Sequence, residues 1–308
     1  MKKRGIEAKA LKNIVQRGLA AALDFLIPRK CVVCERTLGP DEKHICSECQ
    51  EDIPHTYYWL RKFNPMADRF NALIQQWLES SLPASQSGMM THIHDNSPED
   101  RPNRPAAYSY AIALFFYRAD SDYSHISRQL KYHGNIPMGK YFSQLLGKRC
   151  AQAEHLSDVD AVIPIPLHWT REWSRGYNQA EIIAREVATE LGAELRTDIL
   201  ERCRRTRTQT KLSIEGKAAN VKGAFRVRAA IAQTLSPYLH DSKTSQSHHS
   251  SLMPKADASV ISDLKHLLII DDIFTTGSTA LACYSALREV FPPSIRISIA
   301  TLGFVGET

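Results

Sequence analysis

From residue 110 onward, short apolar runs alternate with segments that repeat an apolar residue every three or four positions. The runs YAIALFFY (110–117), DAVIPIP (160–166), HLLII (266–270) and SIRISIATLGF (294–304) predict buried strands. Between them, YSHISRQLKYHG (123–134), MGKYFSQLLGKRCAQ (138–152), NQAEIIAREVATELG (178–192) and TALACYSALREV (279–290) predict helices. Helices connecting short apolar strands form right-handed βαβ units, so the pattern predicts an α/β fold around a parallel sheet.

The flanks read differently. Residues 1–27 place Leu11, Ile14, Val15, Leu19, Leu23 and Leu26 on one helical face. Asp24 interrupts the apolar part and no small-residue cleavage pattern follows it, so an amphipathic helix packed on the protein fits better than a targeting segment. No apolar run is long enough to span a bilayer, and the expectation is a cytoplasmic protein without a membrane span. Residues 80–105 and 236–259 are rich in Ser, Pro, Asn and His and show neither period. Such stretches bury too little apolar surface to order themselves. The resulting division is an amphipathic helix (1–27), a cysteine module (28–54), a linker or insert partly disordered from about residue 80 (55–105), and a main domain (106–308) carrying the polar insert 236–259. His248 and His249 in that insert have nothing converging on them and are read as solvated.

Charge changes the picture in one place. The 308-residue chain carries a formal net charge of +6. Residues 196–228 hold ten basic and three acidic side chains, so this one segment supplies the whole excess. Its partner should be anionic, either the phosphates of a small ligand or those of a nucleic acid, unless it is only a solvated basic face.

In CVVCERTLGPDEKHICSEC, Cys31, Cys34, Cys46 and Cys49 form two Cys-x-x-Cys knuckles eleven residues apart. Each knuckle can present two thiolates to one tetrahedral Zn²⁺, and four sulfurs leave no position for water, so the zinc would be structural. Disulfides or a redox pair are the alternative, disfavoured in a cytosolic chain. Residues 28–54 have four basic and six acidic side chains, which argues against phosphate contact there.

LLIIDDIFTTGST (267–279) is the most chemically loaded stretch. A buried parallel strand delivers Asp271 and Asp272 to its carboxyl edge, where open α/β sheets bind ligands. The turn that follows points its N–H groups into one concavity backed by a helix N-terminus, which suits a phosphate monoester. Thr275, Thr276, Ser278 and Thr279 add hydroxyl donors, and Gly277 permits the tight curvature. The two carboxylates repel phosphate but accept hydrogen bonds from a vicinal diol, and they can also help to hold Mg²⁺ through water. Together these features describe a pocket for ribose 5-phosphate. The lysine of a Walker A loop and the three glycines of a dinucleotide fold are both missing.

This stretch resembles the signature by which type I phosphoribosyltransferases bind phosphoribosyl pyrophosphate (PRPP). VIPIPLHWTREWSRGYNQA (162–180), LKYHG (130–134) and RRTRTQTKLSIEGKAANVKGAF (204–225) resemble segments of the ComF/GntX branch, whose architecture also carries an amino-terminal Cys₄ module. One departure is Lys217, where that branch has arginine; lysine keeps the charge and loses the bidentate fork. The resemblance implies a type I phosphoribosyltransferase-like sheet with a zinc-ribbon-like module, PRPP as ligand and Mg²⁺ as its companion ion. Asp271 and Asp272 would serve the ribose in a catalytic role, Thr275 to Thr279 the 5-phosphate, and Arg171 and Arg175 the pyrophosphate. Arg204, Arg205, Arg207 and Gln209 are candidates for a flap closing over it.

Two functions compete. One is a Mg²⁺-dependent phosphoribosyltransferase with an open choice of acceptor, in nucleotide metabolism or DNA uptake. The other is a non-catalytic accessory protein that binds single-stranded DNA, for which the resemblance implies a competence helicase as partner. The basic segment 196–228 would then contact strand phosphates, whereas Trp169, Trp173 and Tyr177 would stack an acceptor base in the first reading or else fill core.

Overall fold

A computed structural model describes residues 28–81, 108–204, 223–233 and 264–306. The helix expected over 1–27, the insert 236–259, Lys217, and the flap candidates Arg205, Arg207 and Gln209 lie outside the described residues, as do residues 82–105 of the first insert.

The sheet order is β1 (Ala111–Phe116), β7 (Arg296–Phe304), β6 (His266–Phe274), β2 (Ala161–Pro164) and β3 (Glu194–Leu195), and every pairing in it is parallel. Five of the six residues of β1 and all four of β2 are buried, as expected for strands covered on both faces. The register is set across β6, where Ile270 stands beside both Pro164 and Ala300, and Asp271 beside Thr301. A small antiparallel pair, β4 (Leu200–Arg202) with β5 (Phe225–Val227), stands apart from this sheet.

Helices cover both faces. On one side α2 (Pro65–Ser81) and α7 (Ser278–Arg288) bury Phe70, Tyr284 and Leu287 against Ile269 and Ala113. On the other, α3 (Ser124–Tyr132), α4 (Ile136–Gln152) and α6 (Gln179–Leu191) bury Leu130, Phe142 and Ile183 against Leu268 and Ile270. Local chemistry sets their ends. Asn135 and Asn178 cap α4 and α6 by accepting from the N–H groups of Met138 and Ala180. Gly192 ends α6 in the left-handed region at φ 67°.

The cysteine module, with its short helix α1 (Ser47–Glu51), docks on the second face. Cys31, Val33, Ile45 and Ile53 join that face's core, and Tyr123 Oη donates to the Cys49 carbonyl at 2.8 Å.

The pattern predicts linker or insert over 55–105, yet residues 65–81 form α2, with Met66, Phe70 and Ile74 buried. The chain before it runs along the outer edge of β1. Phe116 N–H donates to the Pro54 carbonyl (2.8 Å), and the Thr56 hydroxyl donates to the Ala113 carbonyl. Asn64 Nδ2 donates to the Ala111 carbonyl (3.0 Å), and Asn71 bonds both backbone groups of Ser109. Polar residues that look like linker composition are here the partners of edge-strand backbone groups.

Candidate functional site at the carboxyl edge of the sheet

Four strands end on one cavity of about 1250 Å³. β1 contributes Tyr117 and Ala119 just beyond its end, β2 contributes Ile165 and Leu167, β6 and the loop after it contribute Asp271, Asp272, Ile273, Thr275 and Thr276, and β7 contributes Val305 and Gly306. α5 (Trp169–Arg175), absent from the sequence-based pattern because it buries no residue, brings Arg171 and Arg175. α3 brings Lys131, β4 brings Arg202, and α2 brings Arg69. Five cationic side chains therefore surround two carboxyl groups.

The acidic pair is differentiated. Asp272 is buried, and its Oδ2 takes the Lys131 ammonium at 2.5 Å and the Ser127 hydroxyl at 3.1 Å. Burial alone would raise its pKa; the lysine overrides that and holds the carboxyl below its usual range. Lys131 in turn is held protonated, because the attraction of Asp272 outweighs burial. Asp271 lies on the other pleat of the strand, partly open to the cavity. Burial first, and then the neighbouring Asp272 charge, push it up to about 8. One acid is therefore an ionised acceptor at neutral pH, and its neighbour keeps a proton to donate.

The loop after β6 has the shape of an anion nest. Gly277 sits at φ 80° and starts α7 at the next residue. A Cβ there would lie 2.6 Å from both Leu73 Cδ1 and Phe274 Cζ, so only glycine fits. Among the described residues, none accepts a hydrogen bond from the N–H groups of Thr275, Thr276 or Gly277. Thr275, Thr276 and Thr279 line the cavity. The buried Ser278 hydroxyl is instead engaged with the Thr276 hydroxyl at 2.9 Å. Arg69 Nη1 donates to the carbonyls of Thr275 (3.2 Å) and Val305 (3.0 Å) and fixes the loop against the end of β7.

Arg171 and Arg175 both reach the cavity. Arg175 Nη1 donates to Gln179 Oε1 at 3.0 Å, and its guanidinium lies 5.3 Å from the Tyr132 ring centre. Tyr177 Oη donates to the Leu130 carbonyl, tying the α5–α6 turn to the end of α3. The basic segment divides. Arg196 and Arg226 are paired with Asp198 (2.9 Å) and Glu201 (2.5 Å), whereas Arg202 turns into the cavity and Arg204 is exposed beside the β4–β5 pair. Lys131, Ser127, Arg202 and Arg69 were not assigned roles from sequence. LKYHG, which contains Lys131, and the basic segment 196–228, which contains Arg202, are the signals the sequence offers, and a lysine in a helix's last turn is by default a partner of the helix dipole.

The four module cysteines place their sulfurs within 4.8 Å of one another. A tetrahedral Zn–S distance of about 2.3 Å requires sulfurs about 3.8 Å apart, and Cys34 and Cys46 stand at 3.7 Å. Backbone N–H groups of Val33 and Cys46 point at the Cys31 sulfur at 3.4 Å. Burial opposes ionisation of Cys31, yet the N–H groups of Cys46, Cys34 and Val33 bring its thiol down to about 7. This donor set fits a structural Zn²⁺, held by all four side chains.

No protein-family model matches the chain. Against curated proteins it is 28% identical over 153 residues to Competence protein F of Haemophilus influenzae, a match covering 49% of this chain and 55% of that protein. It is 27% identical over 256 residues to DNA utilization protein YhgH of Salmonella typhimurium, covering 82% of this chain and 88% of that one. The chain is thus similar to a competence protein and to DNA utilization proteins. The protein of the same name from Escherichia coli O157:H7 is 25% identical over 252 residues, or 81% of this chain and 79% of the relative. No described helix is long and apolar enough to cross a membrane.

Proposed function

We propose that the carboxyl-edge cavity binds PRPP with Mg²⁺, and that the protein recognises or transfers the phosphoribosyl group in the service of DNA uptake. One juxtaposition carries this reading. A diol-accepting acid pair and an open amide–hydroxyl loop leave the same strand end, inside a cavity ringed by cations. The Thr275–Thr279 loop takes the 5-phosphate through its N–H and hydroxyl groups. Asp272, ionised, accepts from a ribose hydroxyl, and Asp271 completes the contact with the diol. Arg171, Arg175 and Arg202 lie where they would meet the pyrophosphate. Mg²⁺, bound with the ligand, supplies neutralisation of the leaving group. At about 1250 Å³ the cavity exceeds the usual size for one small ligand, which leaves room for an acceptor. The relatives' names, a competence protein and a DNA utilization protein, support the DNA-uptake setting.

Calorimetric titration of PRPP and Mg²⁺ tests the reading. Wild type should bind, and Asp271→Asn/Asp272→Asn should lose on the order of 100-fold, since the charged hydrogen bond to ionised Asp272 contributes about 1.5–3 kcal/mol. Equal affinity in both would remove the assignment. Pyrophosphate release with a panel of nucleobases then separates transfer from recognition.

One observation favours the second reading, an accessory protein for single-stranded DNA. Trp169 and Trp173 are 70% and 86% exposed, one turn apart on α5, the helix that also carries Arg171 and Arg175. Exposed aromatics beside cations stack bases of any sequence. Oligonucleotide binding that falls steeply with salt and is lost in Trp169→Ala/Trp173→Ala would establish it. Binding unchanged by that double substitution would remove it.

A further inference from the structure

Lys131 makes direct contact with the acidic pair, its ammonium 2.5 Å from Asp272 Oδ2. It projects from the last turn of α3, where the helix's own negative end favours a cation. Its ammonium and the Ser127 hydroxyl, one turn earlier on the same helix, converge on one oxygen, Asp272 Oδ2. The position of α3 is itself held by Tyr177, bonded to the Leu130 carbonyl, and by Arg175, stacked on Tyr132. Lys131 also lines the cavity, so N–H groups not spent on Asp272 are available to a ligand.

We propose that Lys131 is the positioning residue of this site. It holds the Asp272 carboxylate ionised and fixed through Oδ2, leaving Oδ1 as the acceptor for a ligand hydroxyl. A lysine in this place makes the acidic pair usable in a setting that would otherwise discharge it. Two neighbouring carboxyl groups out of water repel each other, and without a fixed cation both would tend to hold protons. The charged and titratable groups facing this cluster are Asp271 on the same strand, Tyr132 on α3, Arg202 on β4, Arg171 on α5 and Cys283 on α7. Asp271 feels both Lys131 and the Asp272 charge, so its own signal is followed beside that of Asp272 in wild type and variant.

The first arm of the test needs no ligand, and so is independent of the PRPP reading on which the second arm rests. Carboxyl carbons of ¹³C-aspartate protein are followed by NMR as a function of pH, with the Asp272 signal identified by its loss in Asp272→Asn. In wild type Asp272 should be ionised at about pH 5. In Lys131→Met its midpoint should rise by about 1–3 pH units, the effect of an opposite charge at contact distance. An unchanged midpoint would overturn the proposal. Ser127→Ala, which keeps the ammonium, should give a smaller rise. Lys131→Gln serves the same measurement if the methionine variant does not fold.

The second arm compares PRPP affinity of wild type and Lys131→Met between about pH 4 and pH 7. The wild-type advantage should shrink as pH rises, because the higher pH restores the Asp272 charge that the lysine otherwise secures. An advantage that does not vary with pH would reduce Lys131 to a packing role and sink the proposal. Failure of wild type to bind PRPP would defeat the ligand assignment, while the NMR arm still decides the role of Lys131.

Discussion

The cysteine module and the carboxyl-edge cavity are built on opposite plans. The module draws its four sulfurs from nineteen consecutive residues, 31–49, and places them within 4.8 Å of one another. The cavity draws its charged groups from Arg69, Lys131, Arg171 and Arg202, which meet Asp271 only when four segments dock on one sheet. A site of the first kind closes small loops and can be organised by its metal. A site of the second kind inherits its geometry from the whole fold, and every wall of it depends on core packing elsewhere.

The largest effect should follow removal of the module's metal. The protein should carry one Zn²⁺ per chain, and a chelator or Cys46→Ser should unfold residues 28–54, given apparent zinc contributions of about 10–16 kcal/mol in small zinc domains. Hydrogen exchange measures this. Amides of 28–54 should lose protection while those of β6 and β7 keep it. Loss in β6 as well would show that the two regions fold as one unit and break the comparison.

A smaller effect is expected at the loop. Gly277→Ala puts a Cβ 2.6 Å from Phe274 and Leu73 in a left-handed residue. The cost should be about 1–3 kcal/mol, seen as a lower melting temperature. PRPP affinity should fall with it, because the clash deforms the loop that the cavity shares with α2. The zinc content should not change.

The smallest effect concerns pH and the opposite end of β6. His266 is fully buried between Asp158 (2.7 Å) and the Ser298 hydroxyl (2.8 Å). Burial holds its pKa below the ordinary value even though Asp158 pulls the other way. The unfolded chain therefore binds the extra proton more readily than the folded one. Its stabilising contribution is present above the unfolded value of about 6.5 and is lost as pH falls below it. His44, His55 and His155 are shifted in the same direction by burial. Denaturant midpoints should fall between about pH 7.5 and pH 5, and His266→Gln should flatten part of that slope. A slope unchanged by His266→Gln would assign the effect to the other histidines.

Much of the sheet was legible because its strands are buried on both faces and read as unbroken apolar runs, LLII being the plainest. The acidic pair and the loop were legible for a related reason, since their polarity interrupts such a run. Less was legible where local pattern and tertiary role part. α5 exposes both its tryptophans, so it shows no core-facing stripe. β3, β4 and β5 are two or three residues long, too short for alternation to register. α2 had its signal, Met66, Phe70 and Ile74 at helical spacing, but it lay within a stretch dominated by polar residues. Lys131, Ser127 and Arg202 gain their meaning only from what faces them across the cavity.

The sealed flank of β1 has a consequence for assembly. Its outward carbonyl and amide groups are already occupied by Pro54, Thr56, Asn64 and Asn71 of the same chain. A second copy therefore finds no ladder to extend on that flank, and the opposite border, β3, offers only two residues. Among the described residues this sheet therefore offers a second copy no long free edge, which leaves the mouth of the cavity at the strand tips unobstructed by growth of that sheet.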